Sequence, residues 1–155
     1  MLDESQMIEA YIDRKKTQQF YKDAFSKYSA AGVDQFQWQW SWWAMFGGVF
    51  YLLYRKLYLE ALVYFILFAF VATMPMISLL LWVAGGGILP YFVYKRYQKT
   101  KAQVEQNLNG EQEQLKALST VGGVNQWAVW VGVVIHVLMW ISAIYMTIIL
   151  SAAQH

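Results

Sequence analysis

Apolar and polar positions divide the chain into blocks of different period. In the first block, Met7, Ile8, Tyr11 and Ile12 share one helical stripe, and Phe20, Tyr21, Ala24, Phe25 and Tyr28 share another. This spacing predicts an N-terminal amphipathic helix, opened by an Asp3–Gln6 capping box and stopped near Gly32. Further on, charge almost disappears. Between Lys56 and Lys95 the only charge is Glu60, and after Lys116 the chain carries no further Asp, Glu, Lys or Arg. A membrane span needs about 20 apolar residues at about 1.5 Å each. The first gap therefore predicts two helices, Leu57–Thr73 and Met76–Tyr94, turning at Pro75. The last gap predicts one span, Gln126–Ser151.

The stretch Phe36–Tyr54 is different. Its strictly apolar part, Trp42–Tyr54, makes about 20 Å of helix against a hydrocarbon core of about 30 Å. Before it, Gln37, Gln39 and Ser41 alternate with Trp38, Trp40 and Trp42, and Trp43 follows. Indoles favour the headgroup zone. The segment reads as interfacial or re-entrant, with Trp38, Trp40, Trp42 and Trp43 as membrane-interface aromatics; a full fourth span is the alternative. Gln98–Ser119 reads as two short amphipathic helices separated by a turn at Asn109-Gly110, and Gly122-Gly123 as a hinge into the last span.

The fold class is thus all-α: a polytopic membrane protein with three transmembrane helices, an interfacial or re-entrant aromatic segment and an N-terminal cytoplasmic amphipathic helix. The domain reading is 1–32 amphipathic helix, 33–94 membrane domain, 95–123 cytoplasmic helical linker and 124–155 C-terminal span. Composition agrees. Of the 155 residues 58% are hydrophobic and 14% charged, too few charges to coat a soluble globule. Twelve basic against ten acidic residues give +2, which excludes a polybasic nucleic-acid binder. No Cys is present, so disulfides and thiolate chemistry are excluded. No cleavable signal peptide is expected, because Asp3, Glu4, Glu9, Asp13, Arg14, Lys15 and Lys16 leave no apolar core at the N-terminus. Basic residues near span ends set orientation. Arg55 and Lys56 flank one end of the hairpin, Lys95 and Arg96 the other, and they serve as topology anchors. The N-terminus is then cytoplasmic and the C-terminus outside.

Few residues carry chemistry. His136 is the one ionisable residue deep in a predicted span. With Ala128, Gly132, Ala143, Thr147 and Ser151 it forms a narrow stripe of small and polar residues, which suits helix–helix packing. The competing readings are a proton or substrate path and a metal or haem ligand; a one-His site lacks the first shell that zinc needs. Glu60 has Lys56 four residues before it, and a snorkelling Lys56 would neutralise it; the alternative is a carboxylate in a cation path. Gly85-Gly86-Gly87 with Pro90 weakens a span and suits close packing or, alternatively, a broken-helix site. The sequence holds no nucleophile–base pair, phosphate loop or zinc motif, so no catalytic residue, metal or cofactor is expected.

The run from Trp42 to Tyr58, with Leu52-Leu53-Tyr54-Arg55-Lys56-Leu57-Tyr58 at its core, resembles a bacterial domain-of-unknown-function family of small inner-membrane proteins. Gly87–Arg96 is similar to a later segment of that family. The resemblance spans about Gln39–Lys101 and leaves out the N-terminal helix and the last span. Ser41, Val49, Tyr51 and Pro90 depart from its pattern. It implies a bacterial inner-membrane location and no activity. The expected function is a non-enzymatic accessory or scaffold subunit of a larger membrane complex. Its partners would be the lipid bilayer and other integral membrane subunits or further copies of the chain, with no nucleic acid. The alternative is a small oligomeric transporter or proton-linked regulator using His136 and Glu60.

Overall fold

The computed structural model describes residues 2–30 and 32–152; the side chains of residues 136, 139, 140, 143, 146, 147 and 150–152 lie outside the description. The described fold is all-α. Its helices are α1 (Glu4–Ile12), α2 (Lys15–Tyr28), α3 (Trp42–Gly47), α4 (Val49–Tyr54), α5 (Tyr58–Val71), α6 (Pro75–Asn107), α7 (Glu111–Val121) and α8 (Gln126–Ala152).

The N-terminal block is two helices, not one. Asp13 adopts φ 51°, a left-handed conformation that Asp tolerates better than most residues, and its N–H closes α1 on Glu9 O. The turn re-aims the chain, so the two apolar stripes belong to different helices that bury them against a shared core: Met7, Ile8, Tyr11 and Ile12 from α1, Tyr21, Ala24, Phe25 and Tyr28 from α2. The expected capping box does not form. Asp3 occupies the cap position, but only its backbone oxygen accepts, from the Gln6 and Met7 N–H groups.

α6 is the spine. Pro75 sits in its first turn, where a missing N–H costs nothing. The helix then runs for 33 residues, about 50 Å, through Gly85–Gly87 and Pro90 without a break. Its upper part is apolar and its lower part joins the N-terminal helices. Val93, Tyr94, Tyr97 and Val104 pack into the same core as α1 and α2, and Leu118 of α7 completes it. The stretch expected as two short linker helices is therefore the lower end of α6 plus α7, with the turn at Asn109-Gly110 where the sequence places it.

Two segments are long and apolar enough to be candidate membrane spans: α6, and the stretch Glu111–Ile135, which takes in α7 and the first part of α8. The predicted third span is not shown. α5 has 14 residues, about 21 Å, short of a 30 Å core. It starts late because Lys56 takes a positive φ of 59°, and it ends in a turn that Met74 closes on Val71 O. Around these helices the apolar surface is extensive: Leu59, Phe65, Phe70, Met76, Leu80 and Trp130 are all exposed.

Candidate functional site

The aromatic segment and α6 fit each other through one missing hydrogen bond. In a helix the Gly86 carbonyl accepts from the residue four positions on, which is Pro90 and has no N–H. The freed oxygen accepts the Ser41 N–H at 2.8 Å. The Ser41 side chain in turn caps α3 by accepting from the Ala44 N–H at 3.2 Å. Gly86 and Gly87 make room for this contact, and Gly85 makes room for Tyr64 of α5. A Cβ at Gly87 would lie 2.4 Å from Trp38 Cε2, one at Gly86 3.0 Å from Trp40 Cζ3, and one at Gly85 2.8 Å from Tyr64 Oη. The glycine run is thus a packing surface.

The segment follows α6 from its middle toward its N-terminal end. Phe36 meets Tyr91 edge-on at 5.4 Å, Trp38 covers Gly87, and Phe46 reaches Trp82 at 5.6 Å. At Gly48, with φ 47° and ψ −116°, the chain bends from α3 into α4 and returns. Of the four interface aromatics, Trp42 and Trp43 are largely exposed, Trp38 is about half exposed and Trp40 is half-buried. Trp40 stacks on Trp38 at 6.3 Å, and its Nε1 is buried without a hydrogen-bond partner.

Arg55 differs most from expectation. As a topology anchor it belongs at the headgroups, yet it is 5% exposed. α4 ends at Tyr54 and delivers the guanidinium into the seam between α1 and α2. Nε donates to Tyr21 Oη at 3.1 Å, Nη1 to the Ile12 carbonyl at 3.2 Å and Nη2 to Thr17 Oγ1 at 3.3 Å. The guanidinium lies over the Tyr21 ring at 4.5 Å, and Tyr21 Oη shares a 2.7 Å bond with Tyr51 Oη. The described ion pairs join Lys22 to Glu9 and Lys101 to Glu4, and none involves Arg55. Burial works against the charge, but Tyr21, Tyr51 and Tyr54 outweigh it and the net shift in the Arg55 pKa is upward. The arrangement ties the N-terminal helices to α4 through neutral acceptors and a ring face. Nearby, burial pushes the Tyr11 hydroxyl up to about 12, against the opposing Arg96 and Arg55 charges.

The Lys56–Glu60 pairing is not formed. Lys56 Nζ donates to the Thr120 carbonyl at 3.1 Å, tying α7 to the start of α5. Glu60 Oε2 is left buried without a partner. The cause is the positive φ at Lys56: it lies outside α5, so helical i, i+4 spacing does not apply to it. Lys95 is exposed, 5.6 Å from the Tyr91 ring centroid, and Arg96 is half-buried.

The small-residue stripe on α8 divides. Ala128 is fully buried, and Gly132 packs on Phe50 of α4, where a Cβ would stand 3.0 Å from the ring. These two serve a contact inside the chain. The side chains of His136, Ala143, Thr147 and Ser151 lie outside the described residues. No group of three or more metal-ligating residues occurs among the described residues.

Sequence reasoning missed the Arg55 contacts, since nothing in the spacing links residues 12–21 to residue 55. It also missed the Ser41–Gly86 bond, for which a signal existed: a proline four residues after a glycine in a helix always leaves that glycine's carbonyl open.

No curated protein and no solved structure matches the chain. A family model described as a protein of unknown function, DUF2628, matches residues 11–88. The match starts earlier than the resemblance drawn from the Tyr-Arg-Lys core and takes in α2, and it stops before Pro90. Ile12, Thr17, Tyr21, Tyr51 and Arg55 all fall inside it, so both sides of the buried arginine contact are included. With just over half of its length matched, the chain belongs to the DUF2628 family of proteins of unknown function.

Proposed function

We propose that the protein is a non-enzymatic accessory or scaffold subunit of a larger complex in the bacterial inner membrane. The observation that carries the reading is α8. This helix has 27 residues and packs on α4 near its start. From Val133 to Ile149 every described side chain is exposed. A helix of this length, apolar on all described sides, offers its surface to lipid and to the helix of another subunit. The stripe His136, Ala143, Thr147 and Ser151 is the proposed partner face. α1, α2, α7 and the lower end of α6 form a polar-surfaced cap on the cytoplasmic side, next to Lys95 and Lys101. α5 and the upper part of α6 are the hairpin of the membrane domain, with α5 as the short arm. The aromatic segment dips along α6 and returns. Irregular backbone at membrane depth is tolerated where protein covers it, as Gly86 and the indoles do here. The exposed apolar surface of α5 and α6 supports embedding, because water-exposed patches of that extent are rare in monomeric soluble proteins.

The transporter reading with His136 and Glu60 draws on Glu60 alone. Glu60 sits on α5, which packs on α4 and α6, whereas α8 has its main contact with α4.

The test is photo-crosslinking in native membranes, with a photoreactive residue placed at Ala143 or Thr147. A discrete adduct to another membrane protein, or to a second copy, is expected. Membrane-fractionated protein that yields no adduct from either position would sink the scaffold reading. Cysteines at Ser5, Lys101 and Ser151 report orientation: an impermeant thiol reagent applied from outside should reach only Ser151→Cys.

A further inference from the structure

The segment Phe36–Tyr54 enters and leaves the helical bundle at the same end. On the way in, Phe36 meets Tyr91 of α6, the Ser41 N–H donates to the Gly86 carbonyl, and Phe46 reaches Trp82. On the way out, the Tyr54 carbonyl accepts the Asn125 N–H, one residue before α8 begins. The tip stops halfway. A Cβ at Gly48 would stand 3.5 Å from Tyr64 Cε1, and Tyr64 is six residues from the start of α5 and seven from its end. On α6, Trp82 is seven residues from Pro75 and nine from Tyr91, which is about 10 Å and about 14 Å of helix.

Burial changes at the same level. The buried residues of α6 all lie between Gly85 and Val104, and none lies between Pro75 and Ala84. In α8, Ala128 and Gly132 are buried, and the described side chains from Val133 to Ile149 are exposed. The main contact of α8 is with α4, the returning arm of the segment. The half of the bundle nearer Lys95 therefore contains α3 and α4 beside α5, α6 and α8, whereas the half nearer Pro75 contains parts of α5, α6 and α8 only. A helix about 10 Å across covers roughly 80 Å², so two extra helices widen the first half by roughly 160 Å², about two thirds more than the second. Trp42, Trp43 and Phe46 are exposed on its flank and widen it further.

A body that is wide in one leaflet and narrow in the other spreads the lipids of the first leaflet only. The mismatch relaxes when the membrane bends so that the wide leaflet is convex, and segments inserted into one leaflet bind in a curvature-sensitive way. We propose that the protein is a one-leaflet wedge, built by Phe36–Tyr54, that favours membrane whose leaflet on the Lys95 side is convex. Its partner is a curved lipid surface. The proposal rests on the reading of α5, α6 and α8 as membrane-embedded.

The experiment uses the full chain carrying Ser5→Cys, reconstituted in giant vesicles of phosphatidylcholine and phosphatidylglycerol. An impermeant fluorophore added outside marks only molecules whose N-terminal helices face outward, so the Lys95 side lies in the outer leaflet. A thin tube is then drawn from the vesicle, and protein fluorescence per lipid is compared between tube and vesicle. The ratio should exceed unity and grow as the tube narrows. Trp42→Ala, Trp43→Ala and Phe46→Ala together remove three exposed rings and leave the N-terminal helices in place; this variant should lose much of the enrichment, and Trp43→Ala alone a smaller share. Equal density in tube and vesicle, or depletion from the tube, overturns the proposal. So does an enrichment that the trimmed chain keeps in full, since crowding by the N-terminal helices would then account for it. Carbonate extraction separates the two levels: a chain washed off the vesicles refutes the embedding itself, whereas one that stays without sorting refutes the wedge alone.

Discussion

Arg55→Lys should damage the protein more than Arg55→Met. The guanidinium reaches three acceptors at 3.1 to 3.3 Å, and all three belong to the α1–α2 unit. Hydrogen bonds to charged groups contribute about 1.5–3 kcal/mol each. These are long, so the lower value applies, for a gross gain of about 4.5 kcal/mol. Burying the charge costs several kcal/mol in return. Methionine removes both terms. It leaves the Ile12 carbonyl and Thr17 hydroxyl to rearrange, while Tyr21 keeps its bond to Tyr51. A net loss of about 2 kcal/mol follows, or about 30-fold in the opening equilibrium of the N-terminal unit. Lysine keeps the charge but replaces a planar fork with a point donor that cannot satisfy three divergent acceptors. A buried charge deprived of partners costs about 3–5 kcal/mol, roughly 150-fold or more in opening. The assay is amide hydrogen exchange of α2 in the purified full chain, where the protected amides of Tyr21–Tyr28 report the opening. Wild type should be most protected, then methionine, then lysine. Lysine protection equal to wild type, or above methionine, would refute the claim that the fork geometry and the cost of burial decide this site.

Gly122→Ala should cost about 3 kcal/mol or more, because its Cβ would stand 2.2 Å from the Tyr11 backbone oxygen, whereas Gly32→Ala, with positive φ and open space, should cost only about 1–2 kcal/mol in chemical denaturation. Gly87→Ala should lower the thermal midpoint by displacing Trp38, a penalty of about 1–3 kcal/mol, while Leu80→Ala on the exposed side should leave it unchanged. The Tyr11 pKa is raised in the folded chain, so its stabilising share is complete below pH 10 and declines as pH rises from about 10 to about 12. Tyr11→Phe should therefore make stability less dependent on pH in that window, with the difference approaching about 2–3 kcal/mol, and an unchanged slope would mean that Tyr11 does not resist ionisation.

Some of this architecture is determined by local chemistry and is legible in order along the chain. Pro75 begins a helix because it needs no N–H there, Asn109-Gly110 separates α6 from α7, and the long uncharged gaps mark where apolar helices lie. The stripes Met7–Ile12 and Phe20–Tyr28 face the core as their period requires, since a helix has one buried face and its spacing names it. What escapes a local reading are relations between segments. Burial of Arg55 depends on α1 and α2 folding back over α4, which brings Ile12 and Tyr21 to it from far earlier in the chain. The Asp13 turn and the positive φ at Lys56 are single-residue backbone choices that apolar spacing does not encode, yet the first splits one predicted helix and the second separates Lys56 from Glu60. The predicted length of α5 is too great for the same reason: composition marks where a helix is tolerated, while its ends are set by the turns that flank it. Only the tertiary structure shows that Gly86 and Gly87 receive indole rings and that the carbonyl Pro90 frees is taken by Ser41, because the partner is another part of the chain and no local pattern names it.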